Sequence, residues 1–290
     1  MKTEKNILIA FLLNLFFSII EIIGGIFTNS ISILSDAVHD LLDSFSIGLS
    51  YFLEKKSKKK IDYLYTYGYK RYSVLGAFIT SFLLFISSLL IIYHSILRIF
   101  NPVEINYNGM MIIAIFGVII NSLAAYFTKN GDSLNQRAMN LHMFEDVLGW
   151  LIVLVGSLLI KLTKILWIDS VISIIVSTII VLRTINYLNT VLNLFLLKTP
   201  VDVDIKEIKK HIMSIAEVKD IHHLHIWSLD GINNFATLHV VTNGNIKDKI
   251  RSEMKEFGIN NVTIEVENED EVCSYKHCII KDTKHTHHHH

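Results

Sequence analysis

The sequence predicts an α-helical membrane protein with six transmembrane helices, followed by a small α+β domain. Three observations predict it. Hydrophobic residues make up 51% of the 290 positions and the mean hydropathy is +0.43, too apolar for an ordinary soluble domain. The apolar residues fall in long runs broken by short polar connections. Beyond Thr199 the texture changes, charges become dense and apolar runs become short. The expected organisation is therefore a membrane domain over 1–199, a soluble domain over 200–283 and a His-rich tail over 284–290.

Six segments are long and apolar enough to cross a bilayer, which takes roughly 20 residues: about 7–28, 31–53, 72–99, 109–128, 140–161 and 165–190. The first begins as MKTEKNILIAFLL, basic then apolar. It runs past Phe27 with no small-residue cleavage pattern, so it reads as a span rather than a signal peptide. The connections alternate in charge. EKKSKKKIDYLYTYGYKR, between spans two and three, is rich in lysine, and KNGDSLNQR, between four and five, carries Lys129 and Arg137. NPVEINYNG and the turn between spans one and two carry no basic residue, and LTKILW carries one. Positive-inside bias places both termini and the Lys-rich loop in the cytoplasm. KKSKKK itself reads as a topology anchor that touches anionic lipid rather than as a metal-delivery element.

Two of these apolar spans carry the same polar pattern. SDAVHDLLDSFS places His39 four residues before Asp43, and NLHMFEDVLG places His142 four residues before Asp146. An ionisable group at mid-membrane costs roughly 2.5–3.5 kcal/mol, so it marks function by default. Positions i and i+4 share a helix face. If the two faces meet, two imidazoles and two carboxylates converge, a tetrahedral nitrogen–oxygen set suited to Zn²⁺; cobalt, iron, nickel and cadmium are also compatible. One such pair would pass as an interhelical hydrogen bond, but two with equal spacing favour a metal site. Asp36 and Asp40 lie on the same helix as His39, and Glu145 precedes Asp146. Neighbouring positions point about 100° apart, so Asp40 and Glu145, together with Asp36, are expected to support a histidine's second nitrogen or to line a wet pathway. Asn121 in span four and Glu21 in span one are further pathway candidates. For Asn121 an interhelical hydrogen bond is the alternative, and His94 reads as interfacial.

NSISILSDAVHDLLDS, YTYGYKRYSVLGA and LHMFEDVLGW resemble the cation diffusion facilitator family of zinc-type metal/proton antiporters, over nearly the whole chain. The resemblance implies a homodimer of six-span protomers, a cytoplasmic ferredoxin-like domain and export of divalent metal. It makes His39, Asp43, His142 and Asp146 the transport ligands. Relatives with aspartate at the first histidine tend to be less selective, so His39 leans this chain towards Zn²⁺. Metal needs neutral imidazole and ionised carboxylate, so protons compete with it and serve as the expected counter-substrate. Divalent metal, membrane lipid and a second copy of the chain are the expected partners; nucleic acid is not. The expected location is a bacterial inner membrane.

The soluble region reads in the order α-β-β-α-β, a small ferredoxin-like sandwich. DIKEIKKHIMSI and NIKDKIRSEMKEFG are its helices; VKDIHHLHIWSLD, NNFATLHVVT and NNVTIEVEN are its strands, with a turn at DGIN. By the family pattern this domain dimerises and often binds regulatory metal. Asn261 stands where a histidine is usual, Glu265 where glutamine is usual, and His223 where aspartate is usual. His222, His239 and Glu267 remain candidate ligands, against ordinary polar surface. Alternation along the strand predicts that His223 and His225 project together. Cys273, His277 and Cys278 form a candidate tail clip, since cytoplasmic thiols stay reduced. The terminal HTHHHH reads as a purification tag or a metal-gathering tail.

Other functions fit less well. H-E-x-x-H, the mark of a helical zinc peptidase, is absent, and four protein ligands leave no open coordination position for catalysis. A channel conflicts with tight chelation. A membrane metal sensor without flux, or an exporter preferring Cd²⁺, Co²⁺, Fe²⁺ or Mn²⁺, is the alternative reading.

Overall fold

A computed structural model describes residues 2–28, 31–101, 107–129, 133–163 and 167–271. The chain divides into two compact units between Asn193 and Leu194. The first holds six long helices: α1 (Lys2–Thr28), α2 (Ile31–Ser57), α3 (Arg71–Phe100), α4 (Tyr107–Thr128), α5 (Leu134–Thr163) and α6 (Trp167–Phe195). Among the described residues, five of them have stretches long and apolar enough to cross a membrane on composition. Helix α2 carries Asp36, Asp40 and Asp43 within two of its turns.

The helices are built with their polar residues inward. On α1, Leu12, Phe16, Ile19 and Ile23 form an exposed stripe, while Asn14, Phe17, Ser18 and Glu21 are buried. In lipid there is no hydrophobic drive between helices; small residues and hydrogen bonds do the joining. Helix α1 packs on α2 and α4, α4 on α5, and α3 on α2 and α5. The packed face of α3 is a column of small residues, Ser73, Gly76, Ala77, Thr80, Ser81 and Ser88. Close approach has a cost in tolerance at Gly117, where a β-carbon would lie 2.5 Å from the Trp150 ring. That ring meets Phe17 edge-on at 5.2 Å, joining α1, α4 and α5.

One end of this unit is fastened by a buried polar network. Helix α2 continues to Ser57, past the expected end of its span, and so brings Glu54 inside at 3% exposure. The Ser73 hydroxyl donates to the Glu54 carboxylate at 2.7 Å. Asn135 of α5 donates to that carboxylate at 3.4 Å and to the Ser50 carbonyl at 2.9 Å, while Ser50 Oγ donates to the Asn135 side-chain oxygen at 2.5 Å. The network links α2, α3 and α5. Nearby, the Tyr187 hydroxyl of α6 donates to the Leu134 carbonyl.

The Lys-rich connection between α2 and α3 is organised by Asp62. Its carboxylate accepts from the Leu64 and Tyr65 amides at 3.0 and 2.9 Å, from the Tyr69 hydroxyl at 2.6 Å and from Lys59 Nζ at 3.1 Å. Those hydrogen bonds, the Tyr69 hydroxyl first, hold the Asp62 pKa down at about 2.

The second unit contains α7 (Ile205–Met213), β1 (Asp220–Ser228), β2 (Asn234–Val241), α8 (Lys247–Glu256) and β3 (Ile259–Glu267). This is the expected α-β-β-α-β order. Asp204 caps α7 by accepting from the Lys206 amide at 2.8 Å. The sheet order is β1-β2-β3, antiparallel then parallel. Ile208 and Ile212 of α7, and Ile250 and Met254 of α8, sit one turn apart and are fully buried in one core with Ile221, Ile226, Leu238, Val240 and Ile264 of the sheet. The turn between β1 and β2 is fixed by Asp230, which accepts from the Ile232 and Asn233 amides, with Gly231 at φ +86°.

Candidate metal centre

Asp43 of α2 and His142 and Asp146 of α5 each offer a ligand atom, and the three atoms all lie within 4.8 Å of one another. The His142 side chain is 3% exposed, and its Nε2 lies 3.7 Å from an oxygen of Asp43, whose side chain is 13% exposed. Neither ring nitrogen of His142 has a hydrogen-bond partner among the described residues. A buried imidazole without a hydrogen bond is costly. An ion drawing nitrogen and oxygen ligands to about 2.1 Å sets them about 3.4 Å apart in a tetrahedron, so Asp43 and His142 already stand near the spacing an ion would need. His39 lies on α2 one turn before Asp43, as expected; its side chain, like that of Asp36, falls outside the described residues.

Of the polar residues around this trio, Glu145 does not take the first of its two expected places, beside a histidine nitrogen. It is buried but turns towards α3, where Ser88 Oγ donates to it at 2.5 Å. It therefore ties α5 to α3 instead of holding the His142 ring. Ser88 was not legible as a partner, because a serine in a column of small residues carries no signal beyond packing. Asp40 is half-buried on α2. Asn121 on α4 is fully buried, and its amide makes no hydrogen bond among the described residues. Glu21 is also fully buried, while His94 is exposed.

A second cluster lies on the sheet of the C-terminal unit. His222, His239 and Glu267 offer ligand atoms all within 4.8 Å of one another. His222 faces His239 across β1 and β2. The Glu267 carboxylate lies 3.1 Å from His222 Nε2 and 2.6 Å from His239 Nδ1. The Glu265 carboxylate approaches the other side of the His239 ring, 3.2 Å from Nε2. Glu265 thus adds negative charge beside the cluster. Cys273, His277 and Cys278 lie outside the described residues.

Comparison with known proteins decides the family. The model of the cation efflux transmembrane domain matches residues 7–196, and that of the cation efflux protein cytoplasmic domain matches residues 200–269. The chain belongs to the cation diffusion facilitator, or cation efflux, family. It is 34% identical to the metal cation efflux system protein CzcD of Cupriavidus metallidurans, over 91% of this chain and 86% of that one. It is 34% identical to the cadmium, cobalt and zinc/H(+)-K(+) antiporter of Bacillus subtilis, over 92% and 89%. It is 30% identical to the zinc transporter ZitB of Yersinia pestis, over 100% and 96%. This cation efflux protein is accordingly a multi-pass membrane protein, and the unit that follows its helices matches the family's cytoplasmic-domain model.

Proposed function

We propose that this cation efflux protein exports divalent cations, Zn²⁺ foremost, from the cytoplasm in exchange for protons. The observation that carries the reading is the convergence of Asp43, His142 and Asp146 around a buried imidazole with no hydrogen bond among the described residues. His39, one turn from Asp43, is the fourth ligand in this reading. The names of the relatives, a zinc transporter and a cadmium, cobalt and zinc antiporter, support the choice of substrate. Two imidazoles and two carboxylates suit zinc and accept cobalt or cadmium.

Release follows from acid–base chemistry. The ion is held by neutral imidazole and ionised carboxylate, so each proton that returns to these groups removes a ligand. Rocking of α2 and α5 against their neighbours opens the site to one side at a time. Protons from the outer face displace the ion there, and the protonated site returns inward. The protein works as a homodimer in the inner membrane, with both termini cytoplasmic. His222, His239 and Glu267 form a second, regulatory metal site on the cytoplasmic domain.

Inside-out vesicles test this directly. With an acidic lumen, external Zn²⁺ should accumulate inside while the lumen becomes more alkaline. Collapse of the pH gradient should stop net accumulation. Flux that ignores the gradient would indicate a channel, and binding without flux a sensor.

A further inference from the structure

The histidine that follows His222 occupies an unusual place in β1. In a regular strand residues two apart share a face, yet Ile221 and Ile226, five apart, are both buried in the same core. One residue must therefore be inserted between them. The pairing shows where: His222 stands opposite His239 and His225 opposite Thr237, with the register slipping by one in between. His223 takes the strain of this bulge, with φ at +48°. Leu224 packs against the core, and His223 joins His222 and His239 on the outer face. Its ring centroid lies 4.8 Å from that of His239 and 5.7 Å from that of His222.

The left-handed region favours glycine or asparagine. A non-glycine residue held there carries backbone strain, and such positions cluster at ligand and active sites. The rings meet beside two carboxylates, with Glu267 between His222 and His239 and Glu265 at the far side of His239. A dication is the ligand this arrangement complements. His225 is exposed, and its ring centroid lies 6.2 Å from that of His223, so it stands aside.

We propose that His223 is a metal ligand, joining His222, His239 and Glu267 in a three-imidazole, one-carboxylate site for a late first-row dication such as Zn²⁺ or Co²⁺. The inference rests on the proposal that the cytoplasmic cluster binds metal. It adds a fourth protein ligand and gives the bulge a purpose: it brings two consecutive residues of one strand to the same face, which a regular strand cannot do. A four-ligand nitrogen–oxygen shell closes the site tetrahedrally.

Cobalt titration of the purified chain tests it, read by visible absorption. The background carries Asp146→Ala, Cys273→Ser and Cys278→Ser and lacks residues 285–290, so that other candidate ligands are silent. His223→Gly and His223→Asn both tolerate the left-handed backbone and remove the imidazole. Each should weaken Co²⁺ binding by at least ~10-fold, the lower bound for disturbing even an outer-shell partner. Metal-free thermal stability should stay level or rise for the glycine variant. X-ray absorption of the zinc-loaded chain should count three imidazoles per ion, and two after His223→Gly. If the His223 variants bind as the background does while His222→Ala loses binding, His223 is no ligand although the cluster is a metal site. If the background binds no Co²⁺, the cluster reading fails and this inference falls with it.

Discussion

The Nε2 atom of His142 lies 3.7 Å from a carboxylate oxygen of Asp43, across the contact between α5 and α2. That is too long for a hydrogen bond and close to the roughly 3.4 Å that separates two ligands of one tetrahedral ion. Replacing either partner should therefore act on metal rather than on folding. His142→Ala and Asp43→Ala are expected to lower Zn²⁺ affinity and transport by at least ~10- to 100-fold, with the protein still extracted as a folded species. Isothermal titration and vesicle uptake check both halves of this expectation.

Affinity at this site should fall with pH in a defined direction. The ion binds only neutral imidazole and ionised carboxylate. Zinc affinity should fall as pH is lowered, by about tenfold per pH unit for each proton that displaces the ion. Dissociation constants measured between pH 5.5 and 8 give the slope.

The α2–α3 connection should soften in acid for a different reason. Asp62 has its pKa lowered to about 2 in the folded chain, chiefly by the Tyr69 hydroxyl, from an unfolded value near about 3.9. A lowered pKa contributes order that is complete above the unfolded value and is lost as pH falls from there through about 2. Asp62→Asn should mimic that loss at neutral pH. Hydrogen exchange of the Leu64 and Tyr65 amides, which donate to Asp62, should then be faster while α2 and α3 stay protected.

The buried network around Glu54 predicts a coupling. Asn135→Ala removes hydrogen bonds to Ser50 and Glu54 and should destabilise by about 1–3 kcal/mol. A β-carbon at Gly76 would lie 2.7 Å from the Asn135 side-chain oxygen, so Gly76→Ala should also destabilise, by about 1–3 kcal/mol. With Asn135 already shortened the clash is gone, and the double variant should cost less than the sum. Thermal unfolding of the four proteins in detergent closes the cycle.

The parts legible in the sequence were those written in its periodicity. The six helical segments, the α-β-β-α-β order and the two histidine–aspartate steps all follow from spacing. What stayed hidden depended on local departures from spacing. The lysine run made Glu54 read as loop, yet α2 carries on and turns that carboxylate inward to Ser73 and Asn135. Glu145 faces Ser88, a partner that only the approach of α3 supplies. The bulge at His223 breaks the alternation assumed for β1. Its trace was present in the five-residue step from Ile221 to Ile226, which no regular strand can bury on one side.

Anomalous scattering at the zinc edge from zinc-soaked crystals tests whether Asp43, His142 and Asp146 hold the ion. One ion is expected in the membrane domain, about 2.0–2.2 Å from a His142 nitrogen and from oxygens of Asp43 and Asp146, and it should disappear in Asp146→Ala. An active, zinc-soaked protein with no ion among those side chains would contradict this expectation.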